Sequence, residues 1–317
     1  MNFKITEEYS GKTVLSFLRL KLKISSSALA ALKRDPIGIL VNGEHVTVRF
    51  ILGEGDLLSV NETDLPEDGN EAILPVNIPI NIIFENEDIM LIDKPPHMPT
   101  HPSHGHVDDT LANAVSYIYK ERSLPFVFRP IGRLDRNTSG LSLIAKHSIA
   151  ASYMYYARQK SLISKKYIAI LEGKIEGDGN YQTTQTYMKR QAESIIIRCV
   201  SDGNDENSFL AITKWRLLYS NDKMSVVEAI PITGRTHQLR VHFAHLGHPI
   251  LGDDVYGKES DIISRHALHA SLLSLPIPYV EEVTEFISPP PPDMIKAAMY
   301  FGCDLDEIFK TSFNKQF

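Results

Sequence analysis

The chain has 317 residues, 43% of them hydrophobic and 23% charged, with a formal net charge of −6 and a pI of about 6.1. That composition fits one large or two moderate globular domains and excludes a protein that is basic throughout. The two cysteines, Cys199 and Cys303, have no CxxC or framework spacing, which suits a reducing compartment and argues against a disulfide scaffold or thiolate zinc site.

The charge is unevenly spread. Residues 1–60 carry eight Lys and Arg against six Asp and Glu, residues 61–110 one against eleven, and residues 111–173 ten against three. An acidic total can therefore hide a basic face able to bind a polyanion. The N-terminus has charges throughout and no apolar core of a signal peptide. No apolar run approaches the ~18 residues that span a bilayer, so the expected location is the cytoplasm.

In chain order, GKTVLSFLRLKLKISSSALAALKR has helical periodicity broken at ISSSA, where serine offers an N-cap for a second helix. GILVNGEHVTV reads as two short strands around Asn42-Gly43, and ILGEGDLLSV as a turn and a further strand. NETDLPEDGNEA, acidic and carrying Pro and Gly, reads as linker. The expected division is 1–62, a linker at 63–74, and a large domain at 75–317.

Within the large domain, INIIFENEDIMLIDKPP predicts two strands around a polar turn, LANAVSYIYK a helix, and LSLIAKHS a strand. AASYMYYARQKS predicts a helix and KKYIAILEG a strand. Residues 174–210 read as irregular, polar hairpin insertions. AITKWRLLYSNDKMSVVEAIPITG alternates like paired strands with Trp215 in the core; THQLRVHFAHLG and DMIKAAMYFG are helical. The expected class is α+β with an antiparallel or mixed sheet.

The chemistry concentrates in RPIGRLDRNTSGL, 129–141, where Asp135 sits among Arg129, Arg133 and Arg136 and is followed by turn residues. A nearby opposite charge favours the ionised carboxylate. Such an Asp is a poor general acid and suits a nucleophile or base; the alternative is a structural Asp–Arg pair on a loop. The kinase H-R-D loop is a poor match, because no G-x-G-x-x-G, V-A-I-K or D-F-G accompanies it. A glycosidase would need a second motif carboxylate, and none is evident. His242, His245 and His248 stand at helical spacing and would suit a metal-dependent hydrolase, but Gly247-His-Pro interrupts the helix.

GRLDRNTSG, 132–140, resembles the H-R-L-D-x-x-T-S-G signature of the RluA-type pseudouridine synthases, departing at Gly132 where the family often has histidine. KPPHMPTHP at 94–102, KKYIAILEG at 165–173 and TGRTHQLRVHFAHLGHPILGDDVYG at 233–257 resemble three further family segments in order. The first sixty residues resemble an S4 RNA-binding domain.

The resemblance implies a pseudouridine synthase fold, a central mixed and mainly antiparallel sheet flanked by helices, with a small N-terminal S4-like domain. It implies isomerisation of specific uridines in ribosomal or transfer RNA without metal or cofactor. Asp135 would be the catalytic aspartate and Arg235 its partner. Tyr167 would stack on the uracil, and Arg133 would fill the gap left by the flipped nucleotide. Thr138, Leu239, Arg240 and His101 would contact RNA, as would Lys21, Lys23, Lys33 and Arg34 of the N-terminal unit. The expected state is a monomer. The competing reading is a non-catalytic RNA-binding or assembly protein that keeps the scaffold.

Overall fold

Thr13 and Ser25 begin the first two helices by accepting hydrogen bonds from the amides of Ser16 and Ala28. This is how a hydroxyl satisfies an orphan donor of a first turn. The computed structural model describes residues 1–63, 73–125, 127–192, 194, 196–280 and 282–313, so most of the expected linker at 63–74 lies outside the described residues.

The N-terminal unit runs β1 (Asn2–Lys4), α1 (Val14–Leu20), α2 (Ser26–Arg34), β2 (Ile39–Val41), β3 (Glu44–His45) and β4 (Leu57–Val60). Its four strands pair in the order β1-β4-β2-β3. The Asn42-Gly43 turn has φ of 51° and 85° at its two residues, the left-handed pair that a two-residue hairpin needs. Val14, Leu18, Leu22, Leu29 and Leu58 pack into one core beneath it.

The second unit continues with β5 (Asn81–Glu85), β6 (Ile89–Lys94), α3 (Leu111–Glu121), β7 (Ser139–Ala145), α4 (Ser148–Gln159), β8 (Ser164–Glu172), β9 (Gln182–Arg190) and β10 (Arg198–Ser201). Then come β11 (Phe209–Ser220), β12 (Met224–Pro231), α5 (Gln238–His245), β13 (Leu268–Pro276), β14 (Val283–Ile287), α6 (Pro292–Tyr300) and α7 (Leu305–Phe313). The strands form one sheet in the order β10-β9-β11-β12-β8-β13-β7-β6-β5, with β14 added beside β13. All pairings are antiparallel except β13 with β7. The fold is thus α+β with a mixed, mainly antiparallel sheet.

At β6 both faces of this sheet are covered. On β6, Met90 and Ile92 pack against Leu111 and Val115 of α3, while Ile89 and Leu91 join Ala150 and Met154 of α4. A strand covered on two sides reads as a continuous apolar run, as IMLI does. Gly140, at φ 106°, lets β7 and β13 meet: a Cβ there would lie 2.4 Å from the carbonyl oxygen of Ala270.

The two units touch through α4. Ile149 joins the N-terminal core, Ser152 donates to Ser25 Oγ at 3.0 Å, and Lys23 lies 5.0 Å above the Tyr156 ring. The segment read as irregular, polar hairpin insertions, 174–210, holds the hairpin β9–β10, with a nine-residue strand β9 more regular than expected. Strands β1, β13 and β14 and helix α7 are additional to the elements expected.

Candidate active site

Asp135 lies in the loop entering β7, and neighbouring segments pin that loop on several sides. Thr100 donates to the carbonyl of Leu134 at 3.1 Å. Lys94, fully buried at the end of β6, donates to the carbonyls of Pro95 and Met98 at 2.9 Å and of Arg136 at 3.2 Å. Burial lowers the Lys94 ammonium to about 7, helped by Arg265 and opposed by the Asp135 carboxylate. Downstream, Arg265 donates to the Asn137 carbonyl at 3.0 Å, and the Thr138 amide closes a turn onto the Asp135 carbonyl.

The segment 233–257 converges on this carboxylate from two places. Arg240, in the first turn of α5, places Nη1 3.9 Å from Asp135 Oδ2. Its other edge grips Asp253, Nε and Nη2 each reaching a different carboxylate oxygen at 2.7 Å. Asp253 is fully buried and takes two further backbone amides, Val255 and Tyr256. The Tyr256 ring lies 5.0 Å under the Arg240 guanidinium, and the Tyr256 hydroxyl pairs with His237 Nδ1 at 2.8 Å. His237, at φ 56° just before α5, places Nε2 3.9 Å from Asp135 Oδ1. Burial holds His237 below the usual histidine range, against the pull of Asp135. A bidentate fork on a buried aspartate fixes an arginine in place and leaves one nitrogen to aim the second carboxylate.

Tyr167, on β8, is 8% exposed and faces the same cleft. Burial, followed by the Asp135 charge, pushes its phenol well above the usual range, so it stays protonated at neutral pH. The cleft encloses about 1380 Å³. Arg133, Arg158, Lys165, Arg198 and Arg235 line it, and Asp135 is its only acidic lining residue among the described residues. Such a surface attracts a polyanion while keeping one carboxylate at its centre.

Several expectations change here. Arg235 does not pair with Asp135: it precedes α5, donates from Nε to the Leu210 carbonyl at 3.0 Å, and stacks over Phe209 at 5.2 Å. Arg240, expected to face RNA, takes the place beside the carboxylate. Thr138 lines the cleft but is buried, and its hydroxyl meets His266 Nε2 at 2.8 Å. Leu239 is buried but reaches the cleft wall; Arg133 is exposed at the cleft; and His101 lies at its edge, 5.1 Å from the Phe128 ring. Lys21, Lys23, Lys33 and Arg34 lie on the N-terminal unit and do not line this cleft.

Arg158, Lys165, Asp253 and Lys94 were not singled out by sequence reasoning. Lys94, Lys165 and Asp253 lie inside quoted motifs, KPP, KKY and GDDVYG, which is the signal that could have found them. His242 pairs with Thr186 and His248 with the Glu172 carbonyl. Among the described residues no group of three or more His, Cys, Asp or Glu could hold a metal ion. Nor is any helix among them long and apolar enough to cross a membrane.

Residues 88–245 match the family described as RNA pseudouridylate synthase. The chain is 35% identical over 291 residues to the uncharacterized RNA pseudouridine synthase YjbO of Bacillus subtilis (strain 168), covering 92% of this chain and 96% of that protein. It is 33% identical over 301 residues to ribosomal large subunit pseudouridine synthase D of Zymomonas mobilis subsp. mobilis, covering 89% and 88% of the two. Among solved structures it is similar to human RNA pseudouridylate synthase domain containing 1, with a TM-score of 0.56 and 29% identity over 69% of this chain and 87% of that one. The chain belongs to the RluA-type RNA pseudouridine synthase family and is an isomerase that makes pseudouridine in RNA.

Proposed function

We propose that Asp135 is the catalytic carboxylate of this isomerisation and that Arg240, not Arg235, aims it. The observation that carries the proposal is the Arg240 fork, held at 2.7 Å by buried Asp253 and presented at 3.9 Å to Asp135. In the reaction the bond between ribose C1′ and uracil N1 breaks, a bond from C1′ to C5 forms, the C5 proton leaves to solvent and N1 takes up a proton. Asp135 acts as nucleophile or base on the ribose or the base. The Tyr167 ring lies against the uracil, a contact worth ~1–3 kcal/mol per base. Extruding the nucleotide costs a few kcal/mol, and the exposed guanidinium of Arg133 replaces the lost stacking.

The substrate is ribosomal RNA. Support comes from the relatives named ribosomal large subunit pseudouridine synthase D, 30% and 33% identical over 89% of this chain. Residues 1–62 act as an S4-like RNA-binding domain joined by a linker at 63–74 to the catalytic domain at 75–317, and Lys21, Lys23, Lys33 and Arg34 add contacts to structured RNA. The enzyme works in the cytoplasm as a monomer, with no nucleotide cofactor.

The test is tritium release from RNA labelled at uridine C5, taken from a strain lacking this gene. Wild-type enzyme releases tritium and Asp135→Asn does not, while the variant binds RNA within a few-fold of wild type. Release by Asp135→Asn at a substantial rate removes Asp135 from the chemistry. No release by wild type that still binds RNA favours a non-catalytic assembly role.

A further inference from the structure

Beyond Asp135, Tyr167 and Arg240, the cations lining the cleft that this chemistry does not use include Arg158 and Lys165. Arg158 is the last arginine of α4, and Lys165 is the second residue of β8. Both line the cleft, and neither has a carboxylate partner among the described residues. Lys165 reaches only the Leu141 carbonyl, at 3.4 Å. Burial and then Arg158 lower its ammonium to about 8. Two neighbouring cations with no counter-ion repel each other, and an anion between them offsets that cost.

The setting of Arg158 is equally specific. Its guanidinium lies between two glycine-bearing loops, the one that carries Asp135 and the one that leads into α5. A Cβ at Gly132 would find Nη1 of Arg158 at 3.8 Å and Cζ at 3.9 Å as its nearest neighbours. A Cβ at Gly234 would find Nη2 at 3.2 Å, tight enough to displace it. Gly132 also has φ 88°, a conformation that L side chains rarely adopt. The two glycines therefore leave a slot across the cleft that the guanidinium fills. Arg158 and Tyr167 line the same cleft, so the slot opens onto the space proposed to hold the base.

We propose that Arg158 and Lys165 form a seat for one backbone phosphate of the bound RNA, next to the nucleotide held on Tyr167. A guanidinium offers a flat, two-pronged donor edge and an ammonium a point charge, and phosphate accepts both. The proposal rests on the reading that RNA occupies this cleft.

The experiment measures the affinity of the full chain for a fluorescent single-stranded oligouridylate of about 12 nucleotides as a function of salt. Each phosphate neutralised on a single strand contributes about 0.7 to the slope of log affinity against log salt. Arg158→Gln is expected to lower the slope by about 0.7 and to weaken binding roughly five- to tenfold near physiological salt, while Arg158→Lys restores most of the slope. Lys160→Gln makes the same charge change on a residue outside the cleft lining and keeps the wild-type slope. An unchanged slope in Arg158→Gln overturns the seat, as does an equal loss in Lys160→Gln. Tritium release by wild type is read in parallel. Its absence would count against the reading of the reaction, whereas the slope decides the seat separately.

Discussion

Arg240 bridges two carboxylates of unequal burial: Asp253, fully buried, at 2.7 Å on one edge, and Asp135, open to the cleft, at 3.9 Å on the other. The first contact fixes the guanidinium and the second directs it. The ion pair with Asp253 holds the guanidinium in place, the approach to Asp135 is the contact proposed to serve the reaction, and one side chain makes both.

Arg240→Ala therefore has two costs. It strands a buried Asp253 charge, a loss of ~3–5 kcal/mol when one partner of a buried pair is removed, and it releases Asp135. Denaturant unfolding should show the destabilisation, and tritium release should fall to background even well below the unfolding midpoint. Arg235→Ala, by contrast, removes an exposed stack on Phe209 and one bond to a carbonyl. Its stability should change by less than ~1 kcal/mol, and it should retain measurable turnover. Equal loss in the two variants would return Arg235 to the site.

Lys94 is the second structural test. Its ammonium serves three carbonyls, one of them from Arg136 beside Asp135. Lys94→Met keeps the stem and leaves those acceptors unpaired, at ~1–3 kcal/mol for each group left buried without a partner. Turnover should fall because the Asp135 loop loses a tether, while affinity for RNA stays within a few-fold. A variant with wild-type unfolding midpoint and rate would show that the cage does not position the loop.

Stability should also fall in acid. Burial holds His242 and His269 down at about 4 and His266 well below the usual range. Between the ordinary histidine value of ~6.5 and the folded value, the unfolded chain binds the proton that the folded chain refuses. Their contribution is complete above pH ~6.5 and declines as the pH drops toward 4, by up to ~1.4 kcal/mol per pH unit for each histidine. Urea midpoints at successive pH values from 7.5 to 4.5 would measure it. His269→Gln, which keeps a polar group between Ser139 and Ser288, should flatten the slope by about one histidine's share. A midpoint constant across that range would contradict the assignment.

The sequence was legible where the chemistry is local. The helix cap at Ser25, the Asn42-Gly43 turn and the alternation of β11 and β12 are all set by neighbouring residues. Arg235 and Arg240 lie five residues apart in one motif, and choosing between them depends on where α5 begins. The helix starts at Gln238, so Arg235 stays in the preceding loop while Arg240 enters the first turn and meets Asp253 from another loop. Strand β13 was missed for a related reason. It is buried on both sides, so LHASLLSLP lacks the alternation of a half-exposed strand. Arg158 carried no signal at all, because its role comes from two glycines, one 26 residues before it and the other 76 after, that meet only in the fold.

The insertion of β13 between β7 and β8 gives the molecule a timetable. His269 pairs with Ser139 across 130 positions of chain. At ~5–20 residues per second, a ribosome needs on the order of ten seconds to make that stretch. Until then β7 and β8 have no strand between them, and the Asp135 loop lacks Arg265 and His266. A nascent chain that has completed the family-matched region 88–245 still lacks these contacts. The loop that carries Asp135 is thus completed only by residues made after the family-matched region, about 130 positions downstream of the residues they hold.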